Sequence, residues 1–116
     1  LLEKSIRLIK TKSQEPIAAV MGPCINACCY EFGQNDMDIL VEKYGPKIVS
    51  ETLTGALSLD MKECVREILS TYDVEIKYDD PFCTNCDPRH WSFRSDGTDK
   101  RQVMIAWKEK TGGVIT

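Results

Sequence analysis

Two short, continuously apolar runs place the tightest limit on what this chain can fold into. Pro16-Ile17-Ala18-Ala19-Val20-Met21 is closed by Gly22-Pro23, and Gln102 leads into Val103-Met104-Ile105-Ala106-Trp107. An unbroken apolar run of this length, bounded by turn residues, predicts a strand buried on both faces. Pro16 suits the first position of such a strand, where it breaks no ladder hydrogen bond. Central strands need a neighbour on each edge. The remaining sequence offers one more clear strand, Val74-Glu75-Ile76-Lys77-Tyr78, whose alternation predicts a half-buried strand ended by Asp79-Asp80-Pro81. Three strands leave such a sheet short of partners, so the expectation is a layered domain completed by further polypeptide.

Helical periodicity interleaves with these strands. Leu2, Ile6 and Ile9 stand at i, i+4 and i+7, predicting a helix from Leu1 to about Lys12, with Lys10 and Lys12 placed where cations suit its C-terminal dipole. No capping residue precedes that stripe, which reads as the continuation of a longer domain. Ser13-Gln14-Glu15 predicts a turn. Asn35 or Asp36 is the expected cap of a second helix carrying Met37, Leu40, Val41 and Tyr44, stopped by Gly45-Pro46. The clearest helix spans about Leu59 to Tyr72, capped by Ser58 or Asp60, with Met61, Val65, Ile68, Leu69 and Tyr72 on its apolar stripe and Cys64 beside it. Between these helices, Thr52-Leu53-Thr54-Gly55 reads equally as a loop or a short edge strand. Residues 83–90 read as a polar loop and 109–116 as a ragged tail. The alternation predicts the α/β (α+β) class.

The 116 residues make one domain at most. A content of 42% hydrophobic and 28% charged residues is that of an ordinary soluble globular protein. The net charge of −3 carries no basic surplus for nucleic acid. No apolar run approaches a membrane span, and the start has no signal-peptide core, so the expected setting is cytoplasmic, with no membrane partner. Six cysteines raise the prospect of a disulfide scaffold. Aliphatic segments able to build a core without staples argue instead for reduced thiols.

Cys24-x3-Cys28 and Cys83-x2-Cys86 together read as a candidate four-thiolate zinc site, since zinc takes two pairs of thiolates tetrahedrally. The competing reading is of small residues packed beside a strand end. A thioredoxin-like role for Cys83 and Cys86 lacks the following amphipathic helix that depresses the first thiol. His90 is the only histidine, so Cys–His catalysis has a single candidate base. The zinc deaminase signature lacks its His-x-Glu, and there is no phosphate-binding glycine pattern. Arg94, Lys100 and Arg101, with Asp96-Gly97 between them, form a short basic hairpin-like stretch. Arginine suits bidentate anion contacts; a solvated turn is the plainer reading.

Four of these phrases occur in a telling order: Gly22-Pro23-Cys24-Ile25 through Cys28-Cys29-Tyr30-Glu31, the Leu59-Asp60 helix, Cys83-Thr84, and Trp91-Ser92-Phe93-Arg94-x-Asp96-Gly97. From about Leu2 to Trp107 the chain resembles the laccase-domain (YfiH-type) family, once called multicopper polyphenol oxidases and now regarded as purine nucleoside enzymes. The Cys83-Thr-Asn-Cys86 spacing resembles the animal laccase-domain members more than the bacterial ones. The resemblance implies a four-layer α/β/β/α fold, of which residues 1–116 are the C-terminal segment. It implies zinc held by two histidines and a cysteine in the preceding half, with no ligand and no catalytic residue carried over to this chain. It also implies phosphorolysis of adenosine, inosine or methylthioadenosine, and adenosine deamination. The isolated chain is then expected to be inactive. Its expected partners are purine nucleoside, phosphate and the N-terminal half of its own domain.

The matching positions are Cys24, Asn26, Ser92 and Arg94, taken as substrate-binding, and Asp96, taken to hold the turn. Arg94 is the candidate for holding phosphate or ribose. Ser95 stands where the family often has a second arginine, and Asp99-Lys100 departs from its Thr-Gly. Two alternatives stand beside this reading. Copper-dependent oxidation of polyphenols draws on several histidines where this chain has one. A non-catalytic zinc-binding or interaction module would use Cys24, Cys28, Cys83 and Cys86.

Overall fold

A computed structural model describes residues 1–107. The chain runs through α1 (Leu2–Lys12), β1 (Ala18–Met21), α2 (Gln34–Tyr44), a 3-10 turn (Pro46–Ile48), β2 (Val49–Glu51), β3 (Leu57–Leu59), α3 (Met61–Thr71), β4 (Glu75–Asp79) and the single-turn α4 (Phe93–Asp96). It is a mixed α/β structure.

β1 and β4 pair in parallel, Ala18 opposite Glu75 and Met21 opposite Asp79, with a register slip after Ala19 that leaves Lys77 unmatched. Parallel strands require a long crossover. Here it contains α2, the antiparallel pair β2–β3 and α3. The pairing outlasts the strands: the Asp80 N–H donates to the Met21 carbonyl at 3.0 Å, and the Thr84 N–H to the Cys24 carbonyl at 3.1 Å. The two segments leaving β1 and β4 therefore travel side by side.

Helix α3 is shared by two cores. Cys64 joins Met37, Ile48 and Leu59, while Leu69 packs with Ile6 and Val74 against Ile17, Ala19, Met21 and Ile76 of the parallel pair. Asp60 caps α3, its carboxylate accepting the Glu63 N–H at 3.0 Å. This leaves Leu59, 1% exposed, in β3 and not in the helix where periodicity placed it. Neither Asn35 nor Asp36 caps α2. The helix starts one residue earlier than that, with Gly33 at the cap position and no side-chain cap bond. Gly45 ends it as expected, at φ 88°.

Thr52-Leu53-Thr54-Gly55 proves to be the β2–β3 hairpin loop. The Thr52 hydroxyl accepts the Ala56 N–H, and Gly55 takes φ 83°, which a glycine adopts without penalty.

Both strands expected to be buried on two faces depart from that expectation. β1 half-buries Ala19 and Met21 and leaves Val20 52% exposed beside an exposed Tyr78 of β4. Residues 101–107 form no strand and are exposed throughout. An apolar run gains from strand geometry only where another element covers it, and no described element flanks this one. Two side chains reach back: Gln102 accepts the Trp91 N–H at 3.0 Å, and the Met104 sulfur lies 3.6 Å from where a Cβ on Gly22 would stand. The expected tail at 109–116 lies outside the described residues.

Candidate functional site

The paired exits from β1 and β4 bring four cysteines together. The Sγ atoms of Cys28, Cys29, Cys83 and Cys86 all lie within 4.8 Å of one another. Cys29 and Cys86 are 3.3 Å apart, Cys28 and Cys29 3.5 Å, and Cys28 and Cys86 3.6 Å. The spacing argument had named Cys24 as the fourth member, and the structure corrects this to Cys29. Cys24 sits opposite Cys83 in a backbone bridge, and its thiol faces the Asn26 side-chain oxygen at 3.9 Å. Residues opposite each other on adjacent extended segments need not aim their side chains at one centre, whereas Cys28 and Cys29 lie on the turn that curls over Cys86.

That turn is fastened on both sides. Toward β3, the Ser58 hydroxyl donates to the Ala27 carbonyl, the Leu53 N–H to the Cys28 carbonyl at 3.1 Å, and the Leu59 N–H to the Tyr30 carbonyl at 3.1 Å. Toward the β4 exit, the Asn26 N–H donates to the Cys83 sulfur at 3.3 Å, and the Asn26 side-chain amide to the Pro81 carbonyl at 3.3 Å. Asn26, expected to bind substrate, thus spends both groups locking two loops together.

The four thiols are unequal. Burial raises the pKa of Cys83, but the N–H groups of Asn26, Cys86 and Asn85 aimed at its sulfur outweigh this and bring it down from 9.0 to about 7. Backbone N–H groups converging on one atom favour its anion. Cys28 moves the opposite way, raised by burial and by its sulfur contacts with Cys29, Cys86 and Cys83. Cys86 is raised chiefly by Cys29, and Cys24 by burial, against the pull of Lys62. Cys83 is thus the thiol of the cluster most readily ionised. An open cleft of about 570 Å³ runs past it between Asn26, Phe82 and Arg89.

Arg94 stands apart from the cluster, in α4. Its guanidinium lies over the Tyr30 ring, 4.6 Å from the centroid, and donates to the Glu31 carbonyl at 3.2 Å. These contacts tie it to the segment following the cysteines; none joins it to Cys24 or Asn26. Arg94 is exposed, so its other donors face solvent. Ser92 is the residue before α4 and makes no side-chain cap bond. Asp96 holds the turn, as expected, accepting the Thr98 N–H at 3.0 Å. Where a hairpin-like basic stretch was expected there is a helical turn ended by Gly97 at φ 72°. His90 packs near Phe82, ring centroids 6.4 Å apart.

Sequence reasoning missed a charged group at the end of β4. Lys62, 8% exposed, donates to Asp79 at 2.8 Å and to the Asp80 carbonyl, while Arg66 joins Asp79 to Glu63. Hydrogen bonding from Lys62, ahead of that from Arg66, lowers the Asp79 pKa. The available signal was a lysine next to the first apolar residue of α3.

Three relatives are purine nucleoside phosphorylases. The chain is 31% identical over 91 residues to one from Streptomyces coelicolor, covering 78% of the chain and 37% of that protein. It is 32% identical over 91 residues to one from Streptomyces griseus, with the same coverage. To one from Corynebacterium glutamicum it is 28% identical over 112 residues, covering 95% of the chain and 45% of the relative. The chain therefore spans less than half the length of each. No solved structure matches it. Among the described residues, no helix is long and apolar enough to cross a membrane. A model of the family described as multi-copper polyphenol oxidoreductase laccase matches residues 1–109. By that match, extending over nearly all its residues, the chain belongs to the laccase-domain family.

Proposed function

We propose that this chain is the C-terminal part of a purine nucleoside phosphorylase and that Arg94 supplies an anion contact in it. The observation that carries the reading is the seating of Arg94, exposed, held over Tyr30 and by the Glu31 carbonyl, with no other side-chain partner among the described residues. The names of the relatives support the reaction. The open face of the β1–β4 pair supports completion by further polypeptide, since parallel sheets are normally covered on both sides.

In such a reaction a phosphate oxygen attacks the ribosyl carbon and the bond to the purine nitrogen breaks. Its electron pair leaves with the base, giving ribose 1-phosphate. An arginine already oriented by stacking can hold the incoming phosphate with little loss of side-chain freedom. Adenosine, inosine and methylthioadenosine as substrates and the companion deamination follow from the resemblance, while a cytoplasmic setting rests on the lack of a visible signal-peptide core.

The zinc set implied by the resemblance, two histidines and a cysteine, does not fit the residues of this chain. Its one histidine lies against Phe82. No step here is routed through that metal. Copper oxidation of phenols meets the same shortage of imidazoles.

Arg94→Ala in the full-length protein tests the assignment. Loss of a charged hydrogen bond is worth about 1.5–3 kcal/mol, so phosphorolysis should weaken roughly 10- to 100-fold, mainly through the KM for phosphate. Thermal stability should hardly move. Unchanged kinetics would remove Arg94 from the site.

A further inference from the structure

We propose that Cys28, Cys29, Cys83 and Cys86 form a structural zinc site that clamps the segment following β1 to the segment following β4. This site is separate from any nucleoside chemistry and uses only residues of this chain.

The geometry comes first. Zinc–thiolate bonds of about 2.3 Å in a tetrahedron put sulfur atoms about 3.8 Å apart. The three recorded separations in the cluster are 3.3, 3.5 and 3.6 Å, with the fourth sulfur inside the same 4.8 Å group. Closing a metal into this arrangement asks for outward shifts of a few tenths of an ångström among Cys28, Cys29 and Cys86, while Cys83 already lies within 4.8 Å of all three.

The support around the ligands is the second argument. Metal sites depend on outer groups that hold the ligands in place. Here the ligand loops are pinned by backbone and side-chain bonds from Ser58, Leu53, Leu59 and Asn26. The Asp87 N–H also donates to the Cys83 carbonyl at 2.9 Å, closing the turn between Cys83 and Cys86. Cys83 is buried and Cys86 exposed, so the site has a firm floor and an entry path.

The donor chemistry selects the ion. Four soft sulfur donors in a tetrahedron suit zinc or iron, and oxygen-seeking magnesium and calcium do not compete. Four cysteine ligands fill the tetrahedron and leave no open position for water or substrate, the pattern of a structural and not a catalytic zinc. A disulfide between Cys29 and Cys86 is the rival use of these thiols. It would need their sulfurs to close from 3.3 Å to about 2.05 Å and would strand Cys28 beside Cys83.

The test uses the full-length protein, purified reduced and with zinc supplied, its metal content measured per chain beside that of Cys29→Ser. The unaltered protein should hold one zinc more than the variant. Cobalt(II) put in its place should give the intense visible bands and sulfur charge-transfer absorption of a tetrahedral four-thiolate site. Cys29→Ser and Cys86→Ser should each weaken zinc binding by more than about 100-fold, beyond the cost of losing an outer-shell partner. Cys24→Ser should keep the metal, which separates this set from one containing Cys24. The cobalt spectrum of the unaltered chain does not depend on any variant folding. A chain without zinc, a cobalt spectrum of oxygen or nitrogen ligands, bound iron in place of zinc, a Cys29–Cys86 disulfide as the resting state, or loss of metal on Cys24→Ser would each overturn the proposal.

Discussion

The sulfur atoms of Cys29 and Cys86 lie 3.3 Å apart although 57 residues separate them in the chain. Parallel pairing of β1 with β4 is what joins them. It delivers both exits to one edge of the molecule, where the Cys24–Cys83 bridge and Asn26 hold the loops in register. α/β folds gather their sites at the carboxyl ends of parallel strands for this reason.

The unequal thiols give the metal-free chain a pH dependence of defined sign. The folded pKa of Cys83, about 7, lies below its ordinary 9.0, so its contribution is full above pH 9 and lost as pH falls through 7. Cys28 is raised by burial and its sulfur contacts, and Cys64 by burial; their contributions hold below 9.0 and fade above it. Urea midpoints in the presence of chelator should rise between pH 7 and 9 and turn down beyond. Cys83→Ala should flatten the rising limb; a limb that persists in this variant would show another group to be its source.

The Lys62–Asp79 pair should be costly to break from one side. Lys62 is 8% exposed, and Asp79→Ala strips its carboxylate partner while leaving the ammonium buried. Removing one member of a buried pair costs about 3–5 kcal/mol. The lower end applies because the Asp80 carbonyl still accepts from Lys62. Denaturant unfolding of Asp79→Ala and of the double variant with Lys62→Met measures this. The double variant should recover part of the loss, and equal stability of the two would show that the ammonium had found water.

Cap strength at α3 is a smaller effect. Asp60→Ala removes the acceptor of the Glu63 N–H and should cost about 1 kcal/mol, with Asp60→Asn near neutral. Thermal denaturation of the three chains reads the difference.

Two isoleucines separate observed from expected core. Ile48 is fully buried, and Ile48→Ala should cost about 2–5 kcal/mol. Ile105 is 74% exposed, and Ile105→Ser should shift stability of this chain by less than about 0.5 kcal/mol. A large loss at Ile105 would show that residues 102–107 are covered after all.

Much of the local structure was legible in the residues. The stripes of α1 and α3, the stop at Gly45, the cap by Asp60, the strand at 75–79 and the turn at Asp96-Gly97 follow from short-range sterics and hydrogen bonding, which neighbouring residues settle among themselves. The Leu59 boundary was misplaced because an apolar residue next to a cap satisfies strand and helix alike. The β2–β3 hairpin stayed ambiguous because three-residue strands carry too little alternation to register. Of the candidate site residues, Cys28, Cys83 and Cys86 gather where spacing suggested, Cys24 gives way to Cys29, and Asn26 turns out to be a loop lock.

By itself the sequence determined the family, the mixed α/β class and the supply of thiols, because each is a property of residue order and type. Only the tertiary structure decided which four cysteines meet, that Lys62 is buried against Asp79, and that residues 102–107 lie uncovered. Those outcomes depend on which segments pack together, and the register of two strands more than fifty residues apart is not written in either strand alone.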